Sequence, residues 1–258
     1  MKMRRASGTR SSDSKASNDF SCPLRVLRGR RIASPMSAIH DTRMRRFLEA
    51  GLYLVTSQSL SAGRTTLEIV RAALTGGARL IQLREKELPI KEFTELAHKV
   101  RRLTAKDDAL LVINDHLDVA LAVGADGVHL GQDDFPVDEA RRLAPDLIIG
   151  ASSHSIKEAR DAQKKGVSYV NIGPIFPTRT KAWGKEFLGL EGLERISQVV
   201  AIPFTVMGGI KRRHIRGLMA AGARTIAVVT AVTAAPDPAQ AVRALRAEVA
   251  LGRQASRA

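Results

Sequence analysis

A single cysteine, Cys22, in 258 residues leaves no partner for an intrachain disulfide, and such a chain suits a reducing compartment. No apolar run is long enough to span a bilayer. The longest, around residues 225–235, is bounded by Arg224 and Pro236. The N-terminal segment lacks the apolar stretch that a secretory signal requires. No G-x-G-x-x-G opens a helix, which leaves a dinucleotide-binding open sheet little support. No serine and histidine come with an orienting acid, so hydrolase chemistry is discounted.

Positive charge is plentiful, with a formal net charge of +15, but it is uneven. Residues 1–46 carry twelve Lys/Arg against three Asp, so nine of the fifteen excess charges sit there. That stretch is rich in Ser and Arg, poor in aromatics and without visible apolar periodicity. It predicts a disordered basic extension over residues 1–48, ahead of a folded domain over 49–258. The plain reading is an unstructured addition, with Met36 or Met44 as later start candidates. An organellar transit peptide or an anion-binding tail is the sharper alternative. The hydrophobic fraction of 44% and charged fraction of 26% fit a soluble protein with a real core.

From Leu52 onward, short Val/Ile/Leu-rich runs recur: LYLVTS (52–57), RLIQLRE (79–85), LLVIN (110–114), GVHL (127–130), LIIGAS (147–152), YVNIG (169–173), PFTVMG (203–208) and TIAVVT (225–230). Continuous apolar runs of this length suit parallel strands buried on both faces. Between them lie segments such as KEFTELAHKVRRL, whose apolar residues recur at three and four, the period of one buried helical face. Eight strands with eight helices in about 200 residues predict a (β/α)8 TIM barrel, whose chemistry belongs at the carboxyl ends of the strands.

Polar residues cluster at those ends. Alternation on strand two puts Gln82, Arg84 and Lys86 on one face and Ile81 and Leu83 on the other. Two inward cations are costly without a counter-anion. They read either as salt-bridged to a carboxylate such as Glu85 or as an anion site suited to phosphate. Strand three ends in Asn114-Asp115 and strand four in Gly131-Gln132-Asp133-Asp134. In a barrel these ends are neighbours, so Asp115 and one of Asp133 or Asp134 can share Mg2+, although Asp115 alone reads more simply as a helix cap. His129 reads as a packed interior histidine without a catalytic role. Ser155 is a plausible N-cap, with Glu158 completing a capping box, which leaves Ser152 free to face ligand. After strand six, two prolines and Thr178-Arg179-Thr180-Lys181 offer hydroxyls and cations, and residues 182–189 are a candidate lid. Gly208-Gly209 before a helix and Val229-Thr230 at the end of strand eight suit a second phosphate site.

QLREK (82–86), VINDHLDVAL (112–121), GADGVHLGQDD (124–134), GASSHS (150–155), NIGPIFPTRTK (171–181), GLEGL (189–193) and MGGI (207–210) together resemble the thiamine phosphate synthase family over residues 50–250. The resemblance implies that hydroxymethylpyrimidine diphosphate is joined to a thiazole phosphate with release of diphosphate. It implies that Gln82, Leu83, Arg84, Glu85, Lys86, Asn114, Ser152 and Lys181 hold the pyrimidine diphosphate. Arg84, Lys86, Lys181 and Ser152 are then the catalytic set, and Asp115 and Asp134 hold Mg2+. Thr178, Arg179, Thr180, Gly209, Val229 and Thr230 would hold the thiazole phosphate. Met207 and Thr230 depart from the family's usual smaller apolar residue and Ser. The partners expected are two small-molecule substrates in the cytoplasm, with neither nucleic acid nor membrane, and with a homo-oligomer left open. The rivals are a thiazole tautomerase on the same barrel and a catalytically dead barrel that senses a phosphate ligand or binds nucleic acid through its tail. Lys86, Asn114-Asp115 and the Gly-Gln-Asp-Asp stretch favour the synthase.

Overall fold

The computed structural model describes residues 37–178, 184 and 186–255. In chain order the elements are α1 (Ala38–Ala50), β1 (Leu52–Val55), α2 (Thr66–Thr75), β2 (Leu80–Leu83), α3 (Ile90–Lys106), β3 (Leu110–Asn114), α4 (Leu117–Ala122) and β4 (Gly127–Leu130). They continue with α5 (Val137–Leu143), β5 (Ile148–Ser153), α6 (Ile156–Lys164), β6 (Tyr169–Ile172), α7 (Gly189–Ser197), β7 (Phe204–Val206), α8 (Ile215–Ala220), β8 (Thr225–Val228), α9 (Thr230–Thr233) and α10 (Pro238–Ala255). The strands pair in parallel and in sequence order, and β8 closes on β1 with Tyr53 opposite Ala227. This is the (β/α)8 barrel that the strand–helix alternation predicts. No helix among the described residues is long and apolar enough to cross a membrane.

Strand alternation divides the side chains into two cores. One parity, including Leu54, Ile81, Leu83, Ile113, Val128, Ile149 and Val170, packs outward against the helices. The other fills the barrel: Tyr53, Leu80, Leu110, Val112, Ile148, Tyr169 and Ala227. Each large side chain buried this way contributes roughly 1.5–3 kcal/mol. The phenol of Tyr169 crosses the interior because Gly150 stands opposite it, where a Cβ would lie 2.1 Å from the ring.

The N-terminal segment corrects the predicted boundary. Residues 1–36 lie outside the described residues, but 37–50 are ordered: Ser37 caps α1, its side chain accepting from the His40 amide. Arginines fill the positions between the helix's inward residues and mask their period. His40, Met44 and Phe47, spaced by four and three, form the face turned to the barrel. Phe47 is fully buried against Tyr169, with ring centroids 4.6 Å apart, and closes the amino-terminal end of the barrel. Arg43 Nε lies 3.6 Å from Asp126, which Arg101 also engages at 2.7 Å. Arg46 pairs with Asp108. His40 Nε2 lies 2.8 Å from Ser168 Oγ, which also accepts from Arg141. Burial holds the Arg141 guanidinium down to about 10 and keeps His40 below the usual imidazole value.

Candidate functional site

The carboxyl ends of the strands surround a cavity of about 300 Å³. β2 ends at Leu83, and the following turn carries Arg84 and Lys86 to the cavity wall beside Gln82. Leu83 and Glu85 do not join them. Leu83 lies in the helix-facing core, and the Glu85 carboxylate turns away to accept from Gln58 N and Thr66 Oγ1. Glu85 therefore does not neutralise the two cations, as its place beside them suggested it might.

β3 and β4 bring their acidic ends together. Asp115 sits at φ 65°, a left-handed conformation that few residues other than glycine adopt, with Asp among those enriched there. Its amide donates to the His129 carbonyl, and its carboxylate lies 2.9 Å from Lys86 Nζ. The helix cap falls to His116, without a side-chain bond, so the capping reading of Asp115 fails. Asp134 turns back to accept from the Gly131 amide at 2.6 Å and contacts the Asp115 carboxyl. Burial and the facing Asp115 raise its proton affinity above the ordinary carboxylate range, and the Gly131 amide offsets part of that. Two carboxyls held face to face in this way suit a divalent cation better than each other. Mg2+ typically takes one or two protein carboxylates together with water and substrate phosphate oxygens, and the pair fits it. Asp133 lines the cavity but is exposed.

β5 contributes Ser152, and Ser155 caps α6 as expected by accepting from Glu158 N. The capping box is left half made, because the Glu158 carboxylate accepts from the His154 amide instead. Ser152 Oγ bonds not to His154 but to His129 Nε2, at 3.0 Å. His129 Nδ1 in turn lies 2.9 Å from the Tyr169 hydroxyl, and burial holds the imidazole down to about 4, so it is neutral. His129 is indeed an interior histidine, but it also lines the cavity. The signal for this was its inward parity, two positions before the strand-end Gly131. Asn171, Met207 and Gln132, which hold no place in the sequence-derived set, also line the cavity.

On the opposite wall lie Thr178, Gly208, Gly209, Val229 and Thr230. Both glycines have positive φ, 104° and 61°, and a Cβ on Gly209 would lie 2.3 Å from the Pro177 carbonyl. Only glycine lets this turn pass under the β6 loop. The next helix does not begin at once, since Ile210 and Lys211 precede a short 3-10 turn (Arg212–His214) and α8. β8 ends two residues early, and Val229 caps α9, whose first residues Thr230 and Ala231 line the cavity. Arg179, Thr180 and Lys181 lie outside the described residues, as does most of the first half of the candidate lid (182, 183 and 185).

Residues 52–232 match the thiamine monophosphate synthase family. A thiamine-phosphate synthase from Moorella thermoacetica is 47% identical over 203 residues, covering 78% of this chain and 97% of that relative. One from Chloroflexus aurantiacus is 46% identical over 200 residues, covering 78% and 93%. The solved thiamine phosphate pyrophosphorylase from Pyrococcus furiosus superposes with a TM-score of 0.73 at 42% identity, covering 79% of this chain and 97% of that one. A 3-hexulose-6-phosphate synthase, at 21% identity and a TM-score of 0.58, shares the fold.

Proposed function

The chain belongs to the thiamine monophosphate synthase family, and on that premise we propose that it joins 4-amino-2-methyl-5-hydroxymethylpyrimidine diphosphate to 4-methyl-5-(2-phosphoethyl)thiazole, or its carboxylated form, giving thiamine phosphate and diphosphate, with CO2 released as well when the thiazole is carboxylated. The observation that carries the reading is one cavity with two unlike walls. Cations and a carboxylate pair stand at the ends of β2–β4, and paired glycines with a threonine hydroxyl stand at the ends of β7 and β8. A diphosphate suits the first wall and a monophosphate the second.

In this reading the pyrimidine lies against Gln82, Asn114 and Ser152, and its diphosphate is held by Arg84, Lys86 and Lys181. Leu83 and Glu85 lend only backbone groups. Thr178, Arg179, Thr180, Gly209, Val229 and Thr230 hold the thiazole phosphate. Asp115 and Asp134 would hold Mg2+, which supplies charge neutralisation on the departing diphosphate. The methylene C–O bond breaks, and the electron pair leaves with the diphosphate. The amino-pyrimidine stabilises the cationic methylene, and the thiazole nitrogen lone pair closes the new C–N bond. Arg84, Lys86 and Lys181 oppose the charge that grows on the leaving group, the place where fixed electrostatics lowers a barrier most. No protein nucleophile is required. The substrates are small molecules, and the reaction runs in the cytoplasm without nucleic acid or membrane. A homo-oligomer is compatible with it.

The test is Mg2+-dependent formation of thiamine phosphate from the two precursors by the purified full chain. Absence of product with both precursors and Mg2+ overturns the reading. Trapping of the pyrimidine by an added nucleophile supports the dissociative order of steps. Strictly concerted displacement without trapping rejects it.

A further inference from the structure

Five side chains link the cavity to the sealed interior. Gln82 Nε2 donates to the Tyr53 hydroxyl at 2.7 Å. The Tyr53 and Tyr169 hydroxyls are 3.0 Å apart, the Tyr169 hydroxyl is 2.9 Å from His129 Nδ1, and His129 Nε2 is 3.0 Å from Ser152 Oγ. Gln82 and Ser152, the two ends, line the cavity, whereas Tyr53 and Tyr169 do not. Both phenols are at most 1% exposed, so bulk solvent does not satisfy them and their partners are one another.

Each hydroxyl has one proton to give, and this makes the run directional. Tyr53 accepts from Gln82, so its own proton goes to Tyr169. Tyr169 then gives its proton to His129 Nδ1. With Nδ1 accepting from Tyr169, the imidazole carries its hydrogen on Nε2 and donates it to Ser152. Reversing any single bond sets two donors or two acceptors against each other at its neighbour, at a cost of about 1–3 kcal/mol, so the run holds its direction as a unit. Two consequences meet the ligand. The Gln82 amide, with its nitrogen committed to Tyr53, turns its carbonyl oxygen toward the cavity. Ser152 accepts from His129 and keeps its own proton to donate.

We infer that Tyr53 and Tyr169 are specificity-determining positioning residues: through His129 they fix Gln82 as an acceptor and Ser152 as a donor, so that the cavity takes a pyrimidine bearing an exocyclic amino group and rejects its 4-oxo counterpart. The inference rests on the proposed function for the identity of the ligand, but not for the direction of the relay. An amino group gives a hydrogen to Gln82, and a ring nitrogen or phosphate oxygen takes one from Ser152. The 4-oxo compound has an acceptor where the amino group was and meets the Gln82 carbonyl oxygen head-on. A site built to hydrogen-bond one partner rejects a mismatched one far more strongly than an apolar pocket rejects a missing methylene.

Tyr169→Phe removes the central hydroxyl with little change in volume. Tyr53 is then free to donate to Gln82, and the amide can turn over to offer its NH2 group. The experiment measures dissociation constants for the 4-amino pyrimidine diphosphate and its 4-oxo analogue, with Mg2+ and without thiazole. The wild-type protein should favour the amino compound by ~100-fold or more, and Tyr169→Phe should bring the ratio to within about tenfold, mainly by tighter binding of the oxo compound. Tyr53→Phe should narrow the ratio in the same direction. An unchanged ratio, or equal weakening for both compounds as a packing defect would give, overturns the inference. Nitrogen-15 shifts of the His129 ring test the relay without any ligand. The Nε2–H tautomer is expected in the wild type, with a mixture in Tyr169→Phe, and an Nδ1–H tautomer in the wild type overturns the inference. If the amino compound fails to bind the wild type while the Nε2–H tautomer is present, the proposed function falls and the relay stands.

Discussion

The two ends of this barrel use charge in opposite ways. At the amino-terminal end Arg43 and Arg101 converge on the buried Asp126, Arg46 meets Asp108, and Phe47 closes the interior. There the cations tie α1 to the strands. At the carboxyl end Arg84 makes no ion pair among the described residues, and Lys86 shares Asp115 with a second carboxyl, Asp134. The groups at the mouth are under-satisfied by one another, which suits a site completed by a metal ion and anionic substrates. The same residue types fasten the structure at one end and are held in reserve at the other.

Substitutions separate the two roles. Asp115→Asn or Asp134→Asn should lower kcat/KM for thiamine phosphate formation by ~100- to 1,000-fold, equivalent to about 3–4 kcal/mol, without lowering the denaturation midpoint. Full activity in either variant would remove the metal assignment. Phe47→Ala, at the closed end, should cost about 3–5 kcal/mol of stability, read by denaturant titration. Activity per folded molecule should stay within about twofold, and a larger change would mean the ends are not independent. Acid should weaken the fold through His129. Its folded value of about 4 lies below that of the unfolded chain, about 6.5, so the unfolded state binds more protons in between. Stability should be full above about pH 6.5 and fall toward pH 4 by roughly 2–3 kcal/mol, a slope that His129→Gln reduces. The smallest effect is Arg46→Ala. Its ion pair with the largely exposed Asp108 is screened by solvent, so a loss under about 1 kcal/mol is expected, and one above 2 kcal/mol would make the pair part of the clamp.

The residues most legible in the sequence were those whose role follows from strand parity. β3 and β4 run over the predicted residues, Leu110–Asn114 and Gly127–Leu130. Gln82, Arg84 and Lys86 reach the cavity while Ile81 and Leu83 face the helices, as alternation requires. Parity also places the side chain of Leu83 away from any ligand, a point that motif matching alone misses. What escaped depends on contacts between distant segments. Nothing near His129 announces that Tyr169, forty residues on, will hold its other nitrogen, or that Tyr53 lies behind both. α1 is hidden in the sequence because two buried residues and the half-buried Met44 make a thin stripe when arginines fill the positions between them. β8 ended early because the chain turns at Val229 into a four-residue helix too short to show a period of its own.

The positive φ of Asp115 has an evolutionary consequence. Holding a non-glycine residue in that region costs on the order of 1 kcal/mol, and setting its carboxylate against Asp134 adds repulsion. Asn or Gly would sit there more comfortably. Selection for stability alone would therefore erode this position, and under the proposed metal-holding role of Asp115 the most stable descendants of this chain would include catalytically silent ones. That role would set marginal stability and function against each other at a single backbone angle, the usual trade-off between the two narrowed to one residue.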